Sequence, residues 1–126
     1  MIQAQQSCMK RYAFSKANRL RKRADFLRLS KDAAKVHAHN FLLIYKPGAA
    51  AGSRLGITVT RKVGSAVCRN AIKRQVREYY RHHRENLTGN WDLNVIAKHQ
   101  AAGQAPAALQ RSLAQLFASF AERTRH

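Results

Sequence analysis

Apolar and polar residues along this chain alternate with two different periods, and each period predicts a different kind of element. The apolar run 41–45 ends at Pro47 and Gly48, which predicts a strand buried, at least in part, on both faces. Residues 55–60 and 93–97 alternate between apolar and small or polar side chains, as half-buried strands do. These patterns together indicate three strands.

Helical periodicity marks three further segments. Phe26 belongs to an i, i+3 apolar pair in a short helix that we expect near Arg23–Lys31. A longer helix is expected from about residue 66 to residue 83, with Ser65 as its capping residue. The clearest amphipathic pattern follows Pro106, which suits a first helical turn. Its apolar residues recur at helical spacing and are Leu109, Leu113, Leu116, Phe117 and Phe120.

The length and charge of the chain narrow the possible partners. A chain of 126 residues is expected to form one domain, which we place at 18–126 after a basic N-terminal tail at 1–17. The chain has 24 Lys and Arg against 6 Asp and Glu, a formal net charge of +18. No apolar stretch is long enough to span a membrane or to act as a secretory signal. A polyanion is therefore the expected partner, and nucleic acid is the first candidate.

Few residues are of the kinds that carry catalytic chemistry. Six carboxylates are a poor supply for a nuclease site that holds two metal ions. His37 and His39, like the pair His82 and His83, have no Cys or carboxylate at metal-ligand spacing, so structural roles are favoured. Two cysteines form no disulfide framework, which suits a reducing cytoplasm, and Cys68 is expected to pack rather than to react. The sequence therefore predicts no catalytic residue and no metal site on this chain.

The helix predicted at 66–83 carries the strongest functional signal. At the helical period, one side is apolar, with Cys68, Ile72, Val76 and Tyr79. The other side is basic, with one amide side chain among its cations: it carries Arg69, Asn70, Lys73, Arg74, Arg77 and Arg81. Two further cations, Arg61 and Lys62, lie in the segment before the helix. The alternative is an ordinary solvated face. Like charges along one stripe repel each other, however, and a phosphate backbone relieves that repulsion.

The run Arg54–Glu78 resembles the signature of the bacterial ribonuclease P protein subunit. In that pattern a strand ends in Ser/Thr-Arg/Lys-Lys and is followed by Gly, Ala-Val, Arg-Asn, Lys-Arg and Arg-Glu, and this chain has TRKVGSAVCRNAIKRQVRE. Pieces at 18–26, 92–98 and 109–120 resemble the family's first helix, last strand and last helix. The resemblance covers about residues 12–121.

The resemblance implies an α+β fold, a two-layer sandwich of a small mixed sheet with helices in the order α-β-β-α-β-α. It also implies a left-handed βαβ crossover, whereas general packing rules favour the right hand. The implied activity is that of a subunit. A catalytic RNA partner, which holds the Mg²⁺ ions, hydrolyses a phosphodiester of precursor tRNA and releases the 5′ leader. The chain assists in the cytoplasm and is not expected to cut RNA alone.

The resemblance also implies two RNA-binding regions. Arg69, Asn70, Lys73, Arg74 and Arg77 match the motif that faces the catalytic RNA, whereas Ala71 stands where the family usually has a basic residue. A cleft between the sheet and the first helix holds the single-stranded leader. Phe26 matches an aromatic residue of that cleft, and Tyr45 is near its strand aromatic, although Ile44 is the other candidate for that register. Ser30 stands where relatives often have another aromatic residue, and plain core packing is the alternative role for both rings.

Two other functions compete with this interpretation. A structural RNA-binding protein of the ribosomal-protein type has the same composition but no link to cleavage. A DNA-binding helix-turn-helix protein is disfavoured, because the basic helix follows a strand rather than a short helix and a tight turn.

Overall fold

The computed structural model describes residues 33–48, 53–83, 87 and 90–124. The predicted tail at 1–17 and the predicted helix near 23–31, with Phe26 and Ser30, lie outside these residues.

Four strands form one mixed sheet. They are β1 (Ala34–His37), β2 (Phe41–Pro47), β3 (Arg54–Thr58) and β4 (Trp91–Ala97). The order across the sheet is β1-β2-β4-β3. The pairs β1–β2 and β2–β4 are antiparallel, whereas β3 and β4 are parallel. The three predicted strands and the mixed α+β sheet are therefore confirmed.

Two α-helices of 18 residues, α1 (Ala66–His83) and α2 (Pro106–Arg123), and a short 3-10 helix at His99–Ala101 complete the described fold. Helix α1 connects the parallel strands β3 and β4, as a crossover must. The left hand of that crossover stays a prediction. Ser65 caps α1, since its hydroxyl oxygen accepts a hydrogen bond from the Cys68 amide at 3.2 Å. Pro106 occupies the first turn of α2, so both predicted helix starts are confirmed.

Strand β1 was not predicted. It lies at the edge of the sheet, and of its four residues only Val36 is buried. A single buried side chain produces no alternation, so the hydrophobic pattern carries no signal for this strand. Its position is instead set by antiparallel pairing with β2, where Val36 lies opposite Leu43.

The core lies between one face of the sheet and the two helices. Because side chains alternate along a strand, every second residue of β2 and β4 points toward the helices. The five apolar residues predicted for α2 are all buried here. The most deeply buried side chains of this face include Phe41, Leu43, Leu55, Leu93, Val95, Leu113, Leu116 and Phe120.

The opposite face of the sheet carries a smaller apolar cluster and a polar strip. Ile44 packs there with Ala33, Leu42 and Ile96. Toward β3 the face turns polar: Arg54 binds Asp92 through two hydrogen bonds of 3.0 Å, and the Thr58 hydroxyl donates to the Asn94 side chain. We call this second surface the open face, because α1 and α2 pack on the other side of the sheet.

Candidate nucleic-acid interface

The turn between β3 and α1 holds two cations at the start of the helix. The Val63 amide donates to the Thr60 carbonyl at 3.0 Å, and the Val63 side chain is buried, which anchors the turn. Gly64 follows, and a Cβ there would lie 3.1 Å from the Cys68 Sγ, so the chain passes close to the first turn of α1. Arg61 and Lys62 are exposed in this turn, a few residues before the N-terminus of α1, an end of a helix that favours anions.

The outer side of α1 is cationic along most of its length. Asn70, Arg74 and Arg77 are exposed, whereas Arg69 and Lys73 are half-buried at its border. Among the described residues, Val67 is the one large apolar side chain that is fully open, at 80% exposure, and it lies on this side near the helix start. Guanidinium groups bind phosphate oxygens in pairs, and an exposed amide binds a base edge or a ribose hydroxyl. The surface therefore has the groups that an RNA backbone requires.

The inner side of α1 is rotated slightly from the predicted one. Ile72 and Val76 are buried as predicted, but Cys68 and Tyr79 are only half-buried. The third buried residue is Tyr80, which is 2% exposed and donates from its hydroxyl to the Ser53 carbonyl at 3.4 Å. Sequence reasoning missed Tyr80 because it falls beside the basic residues in helical projection. The i, i+4, i+8 spacing of these three residues was the available signal.

The last turn of α1 differs from the rest of its cationic side, because a carboxylate offsets the positive charge there. Arg81 forms an ion pair with Glu78, and the His82 Nε2 lies 3.3 Å from a Glu78 carboxylate oxygen. Arg81 is thus engaged within the protein. Among the described residues, the cations of this surface that form no ion pair lie in the preceding turns of α1 and in the turn at residues 60–63.

An aromatic stack fixes the same end of α1 against α2. The Tyr79 ring lies between His83, with centroids 4.0 Å apart, and Phe117, at 5.4 Å. Burial in this stack raises the pKa of the Tyr79 hydroxyl. Between the helices, the Gln110 amide also donates to the Gln75 carbonyl at 3.0 Å. These contacts hold the helix rigidly, so its outer side chains project from a fixed support.

The structure separates the two residues considered for the strand position of the cleft. Tyr45 is 8% exposed and lies in the core, where its ring meets Phe120 edge-on at 4.9 Å and Trp91 at 5.8 Å. The placement of Tyr45 in a leader cleft does not fit this geometry, because the ring faces the helices. Ile44, the next residue along β2, points to the open face. Phe26 cannot be compared, since it lies outside the described residues.

The described carboxylates lie apart from each other. Asp92 is bound by Arg54, Glu78 is bound by Arg81, and Glu122 is on the surface of α2. Within the described ranges, no three His, Cys, Asp or Glu side chains come together as a metal site requires. His37 and His39 are both exposed near the end of β1. Neither described helix is long and apolar enough to cross a membrane.

The mixed sheet, with a cationic helix leading out of its edge strand β3, defines this chain as a small basic RNA-binding α+β protein. Its sequence matches the family model for ribonuclease P over residues 14–121. The chain therefore belongs to the ribonuclease P protein family.

Individual relatives agree with this assignment. The chain is 49% identical over 109 residues to the ribonuclease P protein component of Desulfosudis oleivorans, covering 86% of this chain and 90% of that protein. It is 44% identical over 115 residues to the ribonuclease P protein component of Desulfatibacillum aliphaticivorans, covering 91% and 98%.

Solved structures agree at the level of the fold. The RNase P protein of Staphylococcus aureus superposes with a TM-score of 0.77 at 35% identity, covering 81% of this chain and 94% of that one. The protein from Thermotoga maritima, in complex with 1-(4-fluorophenyl)-2-thiourea, gives 0.72 at 31% identity, covering 78% and 95%. The ribosomal-protein and helix-turn-helix alternatives are not favoured by these matches.

Proposed function

We propose that this chain is the protein subunit of a ribonucleoprotein endoribonuclease that removes the 5′ leader from precursor tRNA in the cytoplasm. The catalytic RNA holds most of the Mg²⁺ and breaks the phosphodiester, and the protein binds that RNA and the leader. The observation that carries this proposal is the exposed cationic side of α1, on a chain that belongs to the ribonuclease P family.

The catalytic RNA is bound by the outer side of α1 and the turn before it. Arg74 and Arg77 are exposed one helical turn apart and engage successive phosphates. Asn70 lies beside them with an exposed amide, and Arg61 and Lys62 extend the surface past the helix start. Arg69 and Lys73 contribute from the border, where their stems pack on the protein and their charged ends reach the RNA. Arg81, paired with Glu78, contributes least.

The leader is bound on the open face of the sheet. Among the described elements, helices α1 and α2 cover the other face, which supports placing a cleft between the sheet and another segment of the chain on this face. Leu42 and Ile96 are the partly exposed members of the apolar cluster around the buried Ile44, and they give unpaired bases a surface to pack on in place of the aromatic strand residue of relatives. Lys35 lies opposite Ile44 on β1, and Lys46 follows on the same side of β2, which places cations beside that surface.

The chain's carboxylates serve its own structure in this account. Two of the three described ones are held in ion pairs with arginines, and the net charge of +18 attracts RNA rather than free metal ions. The protein's contribution to catalysis is to neutralise phosphate repulsion between catalytic RNA and precursor. Less Mg²⁺ is then needed to bring the two together.

The test is reconstitution of the purified full chain with a bacterial ribonuclease P RNA and a precursor tRNA. At limiting Mg²⁺, the chain is expected to stimulate cleavage by the RNA, whereas the chain alone leaves the precursor intact. Metal-dependent cleavage by RNA-free protein, lost on substitution of Asp92 or Glu78, contradicts the proposal. RNA binding without stimulation at any Mg²⁺ concentration would instead favour a purely structural RNA-binding role.

A further inference from the structure

A single carboxylate interrupts the cationic side of α1. Arg74, Glu78 and Arg81 follow each other at i, i+4 and i+7, so they share one side of the helix. Arg81 lies about 6 Å further along the helix axis than Arg77, since each residue rises by about 1.5 Å. Without Glu78, the row of cations would therefore continue to the last turn of the helix.

Glu78 binds the two basic side chains that follow it. The Arg81 Nη2 group donates to both Glu78 carboxylate oxygens, and the His82 Nε2 lies 3.3 Å from one of them. Arg74 precedes Glu78 at i, i+4 spacing but forms no ion pair with it among the described residues. A helical glutamate pairs better with a basic residue on its C-terminal side than with one before it. The carboxylate thus serves the last turn and leaves Arg74 and Arg77 exposed.

This ion pair also occupies the groups with which Arg81 would bind a phosphate. Arginine binds phosphate oxygens through pairs of N–H groups. In Arg81 the Nη2 group is bound to the carboxylate, and the Nε atom is buried with no hydrogen-bond partner in the described part of the chain. A phosphate that approached Arg81 would have to displace the Glu78 carboxylate, and the two negative charges would repel each other.

An acid at the end of a cationic row affects unrelated RNA more than the RNA that fits the surface. Phosphate contacts do not depend on sequence, so a chain with a net charge of +18 attracts any RNA. Preference for one partner is a difference of affinities, and a group that is unfavourable to the wrong partners is one way to obtain it. An RNA held by the helix as far as Arg77 does not meet Glu78, whereas an RNA bound further along the helix does.

We propose that Glu78 is a specificity-determining residue of the RNA-binding surface. It withholds Arg81 from phosphate, so that the surface ends at Arg77, and its charge disfavours RNAs that bind further along the helix. This inference rests on the proposed function of α1 as the surface that binds the catalytic RNA.

The test compares two variants of the full chain that each neutralise one acid, Glu78→Gln on α1 and Glu122→Gln on α2. Affinity is measured against salt concentration for a bacterial ribonuclease P RNA and for an unrelated RNA hairpin. Glu78→Gln is expected to bind the hairpin about 3- to 10-fold more tightly, with a slope of log K against log salt that is steeper by about 0.7–0.9. Its affinity for the ribonuclease P RNA is expected to change by less than about twofold. Glu122→Gln, which makes the same change in net charge, is the matched control and leaves both affinities unchanged.

Two arginine variants test where the surface ends. In the native chain, Arg81→Gln is expected to weaken binding of the ribonuclease P RNA far less than Arg77→Gln does. Combined with Glu78→Gln, Arg81→Gln removes the released cation and returns the slope for the hairpin to its native value. Because Arg81→Gln by itself keeps Glu78 in place, it tests the end of the surface even if Glu78→Gln fails to fold.

The outcomes distinguish this inference from the function on which it rests. If neither Arg74→Gln nor Arg77→Gln weakens binding of the ribonuclease P RNA, the RNA-binding surface of α1 itself is wrong. If Arg77→Gln weakens binding but Glu78→Gln raises affinity for both RNAs equally, or for neither, the role of Glu78 is overturned and the surface stands. The same holds if Glu122→Gln gives an equal gain, or if Arg81→Gln weakens binding as much as Arg77→Gln.

Discussion

Helices α1 and α2 have the same length and pack on the same face of the sheet, but they are built for different tasks. Helix α2 buries six residues, of which five are large and apolar, and its exposed side is mainly alanine with a few charged residues, among them Arg111 and Arg123. Helix α1 buries three residues and exposes a row of cations. The comparison teaches that α2 contributes most of the helical core, whereas α1 buries few residues and leaves most of its surface exposed.

The largest loss of stability is expected when a buried residue of α2 is removed from the core. Phe120 is buried against Tyr45 and Trp91, so Phe120→Ala removes a ring from the centre of the core. We expect the free energy of unfolding to fall by about 3–5 kcal/mol, measured by chemical denaturation. The matched change on α1, Arg77→Ala, is expected to alter it by less than about 0.5 kcal/mol. Equal losses in the two variants would contradict the division of tasks.

A smaller effect is expected at the helix starts. Ser65 caps α1, whereas Ala105 at the start of α2 has an extended backbone and no side-chain cap. Ser65→Ala is expected to cost about 1 kcal/mol, and Ala105→Ser to add about 0.5–1 kcal/mol, both seen as shifts in the denaturation midpoint. If Ala105→Ser leaves the midpoint where it was, the stability of α2 does not depend on its cap.

The smallest effect concerns the aromatic stack between the helices. Burial raises the pKa of Tyr79 in the folded state, so its hydroxyl loses a proton more readily when the chain unfolds. The stability that the neutral hydroxyl provides is therefore present below about pH 10 and is lost as the pH rises above it. Tyr79→Phe is expected to make the alkaline decline in unfolding midpoint shallower. An unchanged decline would mean that other groups cause it.

How much of the fold could be predicted from the sequence depends on how strongly the two faces of each helix or strand differ in hydrophobicity. Helix α2 has a clean apolar side, and all five of its predicted core residues are buried. In β2 the run 41–45 is apolar at every position, so hydrophobicity does not tell one face from the other. A slip of one residue exchanges the faces, so the run alone does not decide between Tyr45, which lies on the core face, and Ile44, which lies on the open face.

The candidate RNA surface on α1 was predicted more fully than the open face of the sheet. The cations of α1 are close together in sequence, so one helical period was enough to bring them to one side. Asn94, Thr58 and Ile44 come from three different strands and meet only through the β2-β4-β3 pairing. No local pattern contains that information. Tyr80 was missed for a different reason, since its polar hydroxyl and basic neighbours hide a ring that packs inward.

The central claim is that α1, not α2, presents the charge that binds the catalytic RNA. Its most direct test compares two double variants, each of which removes two exposed arginines: Arg74→Ala/Arg77→Ala on α1 and Arg111→Ala/Arg123→Ala on α2. The measurement is the affinity for the catalytic RNA as a function of salt concentration. We predict that the α1 pair weakens binding and lowers the slope of log K against log salt by about 0.7–0.9 for each lost phosphate contact, while the α2 pair leaves the slope unchanged. Equal changes in slope for the two pairs, or a change confined to the α2 pair, would contradict the account.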